Sequence, residues 1–486
     1  MRQRPARALP LALLLTGLSA CSVPKEAGFP DVARTARERT GHAARWRRDS
    51  DEAAAIDRIV RDRLSRALTA ETAVEVALLN NRALQARYED LGVAQADVVQ
   101  AGLLRNPSIG ATLKFPVSGG GGGPGLDLSV EQDFLSLLFL SARRGLAEAE
   151  MESVKLEVGD AVVALAAEAR AACLTVQAAA QIAALRRVVA EAAQASAEIA
   201  RRQHDAGNLS DLDLAAQEAE NEEVKLSLAR SEAELGQSRE HLARLLGLWG
   251  PAVAFRVAPK LPDPPAAEPP LDHIERLAVA RRLDLAAARR RTEILERALE
   301  LARAGRWAGA LALGAEAERD ADGGWAAGPH VGLELPLFDQ GQAALARLEA
   351  ERRKAEHALA ALAVEIRSQV RAARDRVLFA RSVADRYKAV IIPLRENLVA
   401  LSQEQYDAML IGVYQLLTAK AREVETYREY IEAIRDYWIA RAELERAAGG
   451  RLPAAAPAAA PASAPAPASA PAPAPTAPPH QHQHGP

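Results

Sequence analysis

Thiols are almost missing from this chain: two cysteines, Cys21 and Cys173, stand among 486 residues. Two such residues make no disulfide framework, so stability must come from packing, although a bridge between them is compatible with the sequence. Proline is absent from Leu126 to Gly250 and glycine is sparse from Ser141 to Ala206. Without those breakers a helix of roughly 60 residues can run unbroken, about 90 Å at 1.5 Å per residue, too long for a compact domain. HExxH, GxSxG and paired-cysteine metal motifs are lacking too, so no enzyme chemistry is legible and no metal site is assigned. His241, His273 and His357 read as surface helix residues, and His480, His482 and His484 as weak, adventitious metal binders in a tail.

Charge of one sign is not in excess: 61 basic residues face 64 acidic ones, and nothing points to nucleic acid. Arg2, Arg4 and Arg7 precede an apolar run, Ala8 to Leu18, too short to span a bilayer. Residues 1–20 therefore read as a signal peptide; without its three arginines the net charge falls from −3 to −6. The run ends Leu-Ser-Ala-Cys, which resembles a bacterial lipobox, so Cys21 is expected to become the first mature residue and to carry covalent lipid, the only prosthetic group expected. Residues 451–486 are nearly all Pro, Ala and Ser, a composition that cannot bury a core.

Between these ends the chain repeats itself. LLNNRALQARYED (78–90) matches AVARRLDLAAARR (278–290) with Leu84 on Leu285; DFLSLLFLSARRG (133–145) falls on LFDQGQAALARLE (337–349) with Phe134 on Phe338; QHDAGNLSDLDLAA (203–216) falls on QYDAMLIGVYQLLT (405–418) with Asp205 on Asp407. The offsets are 201, 204 and 202. A lipid-anchored segment (21–66) thus leads into a first repeat (67–258), a Pro-rich connector (259–270) and a second repeat (271–450). Each repeat reads helix, strand, loop, strand, long helix, turn, helix. Within the first rod, Val162, Ala166, Ala169, Cys173, Val176, Ala180 and Ala183 follow heptad spacing, with a second seam at Leu165, Ala172, Ala179 and Ile182. Two seams rich in alanine describe a stave with a close neighbour on either side. In the second repeat Ala355, Leu359, Leu362, Ile366, Val370, Ala373, Val377 and Ala380 repeat the theme with one stutter. A long periplasmic coiled-coil hairpin would explain these rods equally well.

The strands argue against that alternative. In 106–117, Ile109, Ala111, Leu113 and Phe115 alternate with Gly110, Thr112 and Lys114; in 125–134, Leu126, Leu128 and Val130 alternate with Asp127, Ser129 and Glu131. The second repeat offers 308–318 and then 329–338, where Val331, Leu333, Leu335 and Leu337 oppose His330, Gly332 and Glu334. Strands of about 9–10 residues with one apolar face fit transmembrane barrel segments. The Gly-rich loop within 118–125 is a turn rather than a phosphate cradle, because a strand follows it. Four strands enclose no lumen, and lipid tolerates no open sheet edge, so such a barrel must be shared between chains.

The chain resembles the TolC-like family of outer-membrane efflux ducts over about residues 67–448. AVEVALLNNRALQAR (73–87), AGLLRNPSI (101–109), QHDAGNLSDLDLAAQ (203–217), LLGLWGP (245–251) and LPLFDQGQ (335–342) carry the likeness. The resemblance implies a mainly α homotrimer whose chains give four strands each to a twelve-stranded β-barrel in the outer membrane, continued by a periplasmic α-barrel. It implies docking to a periplasmic adaptor and an inner-membrane pump of the resistance-nodulation-division type. The function implied is passive exit of drugs, metal ions or small metabolites through a water-filled lumen once the tips splay. A periplasmic adaptor or a structural coiled-coil lipoprotein is the alternative.

The working residues are expected at the tips: Gly207, Asn208, Leu209 and Ser210 in the first, Leu410, Ile411, Gly412 and Val413 in the second. Gly207 frees the turn, and Asn208 and Ser210 can both cap the next helix. Asp211 and Asp213, repeated around a trimer axis, would form an acidic entrance ring; equally, they would complement the helix N-terminus. The apolar second tip is read as a partner surface or as buried trimer contact. Met409 replaces the glycine matching Gly207, so the two turns are expected to differ. Thr112, Lys114, Asp127, Glu131 and Glu334 are expected to line the lumen.

Overall fold

The computed structural model describes residues 23–115, 123–307, 311–320 and 322–452. Cys21, the glycine loop and the tail beyond Leu452 lie outside the described residues. Among the described residues, four helices come first: α1 (Phe29–Thr40), α2 (Ser50–Leu64), α3 (Ala70–Asn80) and α4 (Arg82–Ala101). Strands β1 (Ser108–Lys114) and β2 (Gly125–Asp133) follow, then α5 (Leu140–Asp205) and α6 (Asp211–Leu245). The second repeat gives α7 (Ile274–Arg281), α8 (Leu283–Gly305), β3 (Leu311–Arg319), β4 (Trp325–Leu333), α9 (Gln342–Arg386), α10 (Ile392–Asp407) and α11 (Val413–Ala447).

The duplication is physical. Asn81 and Arg282, at matched positions, break their helices with nearly the same dihedrals, φ −63° and ψ 119° against φ −63° and ψ 121°. Leu84 and Leu285 are both buried behind these breaks. The long helix α5 has 66 residues, roughly 100 Å at 1.5 Å per residue. Gln342 to Asp407 covers the same length, but a π turn at Tyr387–Ile391 interrupts it just before Pro393. Pro393 lacks the N–H that an unbroken α ladder needs, and a π turn re-routes the bonds around such a defect.

Both seams of α5 are occupied. Val162, Ala169, Cys173 and Val176 are fully buried, and Leu165, Ala172 and Ala179 nearly so. On one side α5 packs along α6; on others it meets α11, α8, α4, α3 and α1. It is the one described helix long and apolar enough to cross a membrane, and that apolar window is 61% buried in protein. Cys173 is a free thiol inside it. The N-terminal segment folds onto this rod: Val32, Ala36, Trp46, Ile56 and Val60 join the first core with Tyr88 and Leu91. A second core gathers Ile274, Leu285, Ile366, Val370, Val377, Tyr437 and Leu444. Toward the first tip Ala197 and Ala200 are still buried, whereas in the second hairpin α10 has no buried residue among those described.

The strands form one antiparallel sheet in the order β1-β2-β3-β4. β2 pairs with β3 across the two repeats, Leu128 opposite Ala317 and Val130 opposite Ala315. The backbones approach closely here: a Cβ on Gly314 would fall 2.2 Å from the Val130 carbonyl oxygen, so glycine is needed. β4 runs over 325–333 rather than the expected 329–338. Its alternation keeps one phase from Trp325 to Leu337, so pattern alone sets no end; the tight turn does. Asp320 N–H donates to the Gly324 carbonyl at 2.9 Å, and Arg319 pairs with Trp325 directly beyond it. Within the chain Pro329 lies on β4, which pairs on one side only, with β3. Glu334, expected to line a lumen, lies one residue past the strand.

Candidate functional site: an open sheet and two helical tips

Register turns the alternation of each strand into two continuous faces. One carries Ile109, Ala111 and Leu113, then Leu126, Leu128 and Val130, then Leu311, Leu313, Ala315 and Ala317, then Trp325, Ala327, Val331 and Leu333. The other carries Thr112 and Lys114, then Asp127, Ser129, Glu131 and Asp133, then Glu316 and Glu318, then His330. Lys114 Nζ confirms the shared polar face, reaching Asp127 at 2.7 Å and Glu318 at 2.9 Å over two neighbouring strands. Thr112, Lys114, Asp127 and Glu131 thus lie together as expected from sequence. Glu316 and Glu318 were not named from sequence, and His330, already placed on the polar side of its own strand, joins their rows through the β2–β3 and β3–β4 pairing.

Among the described residues, none covers the apolar face. Ile109 is 79% exposed and Val331 64%, and Val130 and Leu333 are exposed as well. Exposed aromatic residues stand at both ends of the strands: Phe115 and Trp325 by the turns, Phe134, Trp307 and Phe338 by the helices. Such girdles mark the two interfaces of a bilayer. β1 and β4 each pair on one side only, leaving two open edges.

At the far end of α5 lies the first tip. Ala206 N–H donates to Arg202 O, Gly207 N–H to His204 O and Asn208 N–H to Gln203 O, a left-handed helix cap with Gly207 at φ 75°. Ser210, not Asn208, caps α6: its Oγ accepts from Asp213 N–H and donates to Asp213 Oδ2 at 2.7 Å. His204 Nε2 lies 2.7 Å from Asp211 Oδ1, tying the end of α5 to the start of α6. The hydrogen bond to Asp211 raises the His204 pKa, against partial desolvation, with Asp205 adding to the pull. A group with a raised folded pKa stabilises fully below its ordinary value of about 6.5 and loses that effect as pH rises through the folded value. Amide exchange at 206–208 is therefore expected to lose protection as pH rises through the folded His204 pKa in the native protein, and to show no such step in Asp211→Asn.

The second tip corrects the expectation that its turn differs. Ala408 N–H donates to Glu404 O, Met409 N–H to Tyr406 O and Leu410 N–H to Gln405 O, the same bonds shifted by 202 residues. Met409 adopts φ 60° and is 92% exposed. A side chain in the left-handed region costs about 1–2 kcal/mol, so this turn is held under strain that Gly207 avoids. Met409→Gly is expected to raise tip stability by about 1 kcal/mol, read from amide exchange over 404–412. Gly412 precedes α11 without a side-chain cap, and Leu410 is 74% exposed. No His–Asp pair bridges this turn, since Tyr406 and Val413 stand where His204 and Asp211 do.

Comparison with known proteins agrees with this geometry. No protein-family model and no curated protein matches the chain by sequence. Solved structures do match. A membrane protein from Pseudomonas aeruginosa superposes with a TM-score of 0.63 at 21% identity, covering 78% of this chain and 93% of its own. The outer membrane protein VceC from Vibrio cholerae gives 0.60 at 18% identity over 82% and 96%. The open state of the MtrE outer membrane channel from Neisseria gonorrhoeae gives 0.61 at 17% identity over 78% and 89%. A sheet with a bare apolar face and two open edges, continued by two long helical hairpins, is thus the fold that this chain shares with these membrane-protein and outer-membrane channel structures.

Proposed function

We propose that the protein is the outer-membrane exit duct of a tripartite efflux or secretion system. The observation that carries this reading is the sheet: one face apolar and bare, the other polar, both edges unpaired. In water such a face would aggregate, and in lipid the open edges would leave backbone groups unsatisfied at several kcal/mol each. A homotrimer resolves both problems by pairing β1 of one copy with β4 of the next. The polar rows then line a lumen, and the rods α5–α6 and α9–α11 continue it through the periplasm. Exposed apolar side chains along the rods, among them Val188, Val364, Phe379 and Leu398, are the contacts such staves need.

Signal cleavage before Cys21 and its lipidation anchor the chain to outer-membrane lipid. Gly207, Asn208, Leu209 and Ser210, with Leu410, Ile411, Gly412 and Val413, present the tips to a periplasmic adaptor beneath which the inner-membrane pump supplies the energy. Asp213 serves the N-terminus of α6, as its cap geometry supports. Asp211, whose side chain is 98% exposed, is the better candidate for an entrance ring. A periplasmic adaptor would have one hairpin flanked by β domains, whereas this chain has two, each opposite a strand pair. The test is conductance: purified full-length protein in planar bilayers is expected to give discrete channels and to run as a heat-dissociable trimer. Soluble, non-conducting monomer would end the proposal.

A further inference from the structure

Away from sheet and tips, a cavity of about 380 Å³ opens where the start of α3, the middle of α5, the Pro-rich connector and α11 meet. Arg170, Leu174 and Gln177 line it from one face of α5, at helical spacing. Gln177 is 2% exposed, yet its Oε1 accepts no hydrogen bond. Arg170 Nε is likewise buried and unbonded, although its Nη atoms hold Glu71 at 3.0 Å and Glu445 at 2.5 Å. An unsatisfied buried acceptor costs about 1–3 kcal/mol, which an occupant donating to Gln177 Oε1 would relieve. Leu174, Pro262 and Trp438 give the wall an apolar strip beside its polar groups, which suits an occupant larger and less polar than water. The Trp438 ring is fixed in place, its Nε1 donating to the Pro262 carbonyl at 2.7 Å.

Charge selects the occupant further. Arg170 and Arg451 are matched by Glu71 and Glu445, and Arg441 by Glu268. Lys260, exposed at the mouth, has no ion pair among the described residues.

We propose that this cavity binds a small amphipathic monocarboxylate bearing a hydrogen-bond donor, the chemistry of an N-acylated amino acid. Its apolar side chain lies against Leu174, Trp438 and Pro262, its amide N–H meets Gln177 Oε1, and its carboxylate meets Lys260. The site spans both repeats and the connector, so its occupant braces the joint between them.

Titration calorimetry of the full-length protein in detergent, with N-acetyl-leucine and its uncharged amide as probes, tests this. The carboxylate is expected to bind saturably and the amide about tenfold more weakly. Lys260→Ala should bring the carboxylate down to the level of the amide without changing the amide. Gln177→Leu should weaken both by about tenfold. Lys260 is exposed, so its variant reports even if Gln177→Leu fails to fold. Absence of saturable binding, or binding indifferent to Lys260→Ala, overturns the proposal and leaves the duct reading untouched.

Discussion

Leu128→Arg is expected to abolish the assembled protein in the outer membrane, while Ser129→Arg, one residue on, leaves it there. Leu128 stands on the bare apolar face near the middle of β2, between Ala111 and Ala317. Arginine on the lipid face of a barrel near its midplane costs roughly 2–4 kcal/mol, and a closed homo-oligomer repeats that cost in each copy. Ser129 points the other way, between Gly110 and Glu316, where a guanidinium gains a carboxylate partner. The readout is heat-dissociable oligomer in outer-membrane fractions of cells expressing each variant at equal level. Equal loss in both would mean that the two faces do not separate lipid from water, and the barrel reading would fall with it.

This contrast also shows what was legible in sequence. Period-two alternation at Ile109, Leu113, Leu126, Leu128 and Val130 fixed the two faces of each hairpin, because side-chain direction follows from spacing alone. The order of hairpins did not follow, so Glu316 and Glu318 were not set beside Asp127 and Ser129 until β2 met β3. The heptad seam predicted burial of Val162, Ala169, Cys173 and Val176. The π turn at Tyr387–Ile391 went unread, although Pro393 in the middle of a rod was a signal for it. Met409 misled for a different reason. Residue type predicts a turn only where local preference decides, and here two packed helices impose the left-handed cap on a side chain that resists it. Long-range ion pairs left no local trace either: Arg186 with Glu425 and Arg170 with Glu445 join residues more than 200 positions apart.

Arg170→Met should cost about 3–5 kcal/mol. The guanidinium is 11% exposed and bridges α3, α5 and α11, holding Glu71 on one side and Glu445 on the other. Glu445 is the vulnerable partner. Its side chain is 15% exposed, burial already pushes its pKa up, and its remaining cations are Arg441, 4.0 Å away, and the more distant Arg451. An acid with a raised folded pKa is destabilising when ionised, so the deficit of Arg170→Met should shrink as pH falls through that raised value. Glu445→Gln in the same chain should recover much of the loss, because the amide needs no countercharge. Glu71 behaves oppositely. Burial acts to raise its pKa, but the His42 hydrogen bond and the Arg170 and Arg451 charges hold it at about 2, so its contribution is present above the ordinary carboxylate range and fades as pH falls toward 2. Apparent unfolding midpoints at one scan rate, compared for the single and double variants at neutral and mildly acidic pH, separate the two acids. A double variant no more stable than Arg170→Met would show that Arg170 supports the joint by packing rather than by neutralising Glu445.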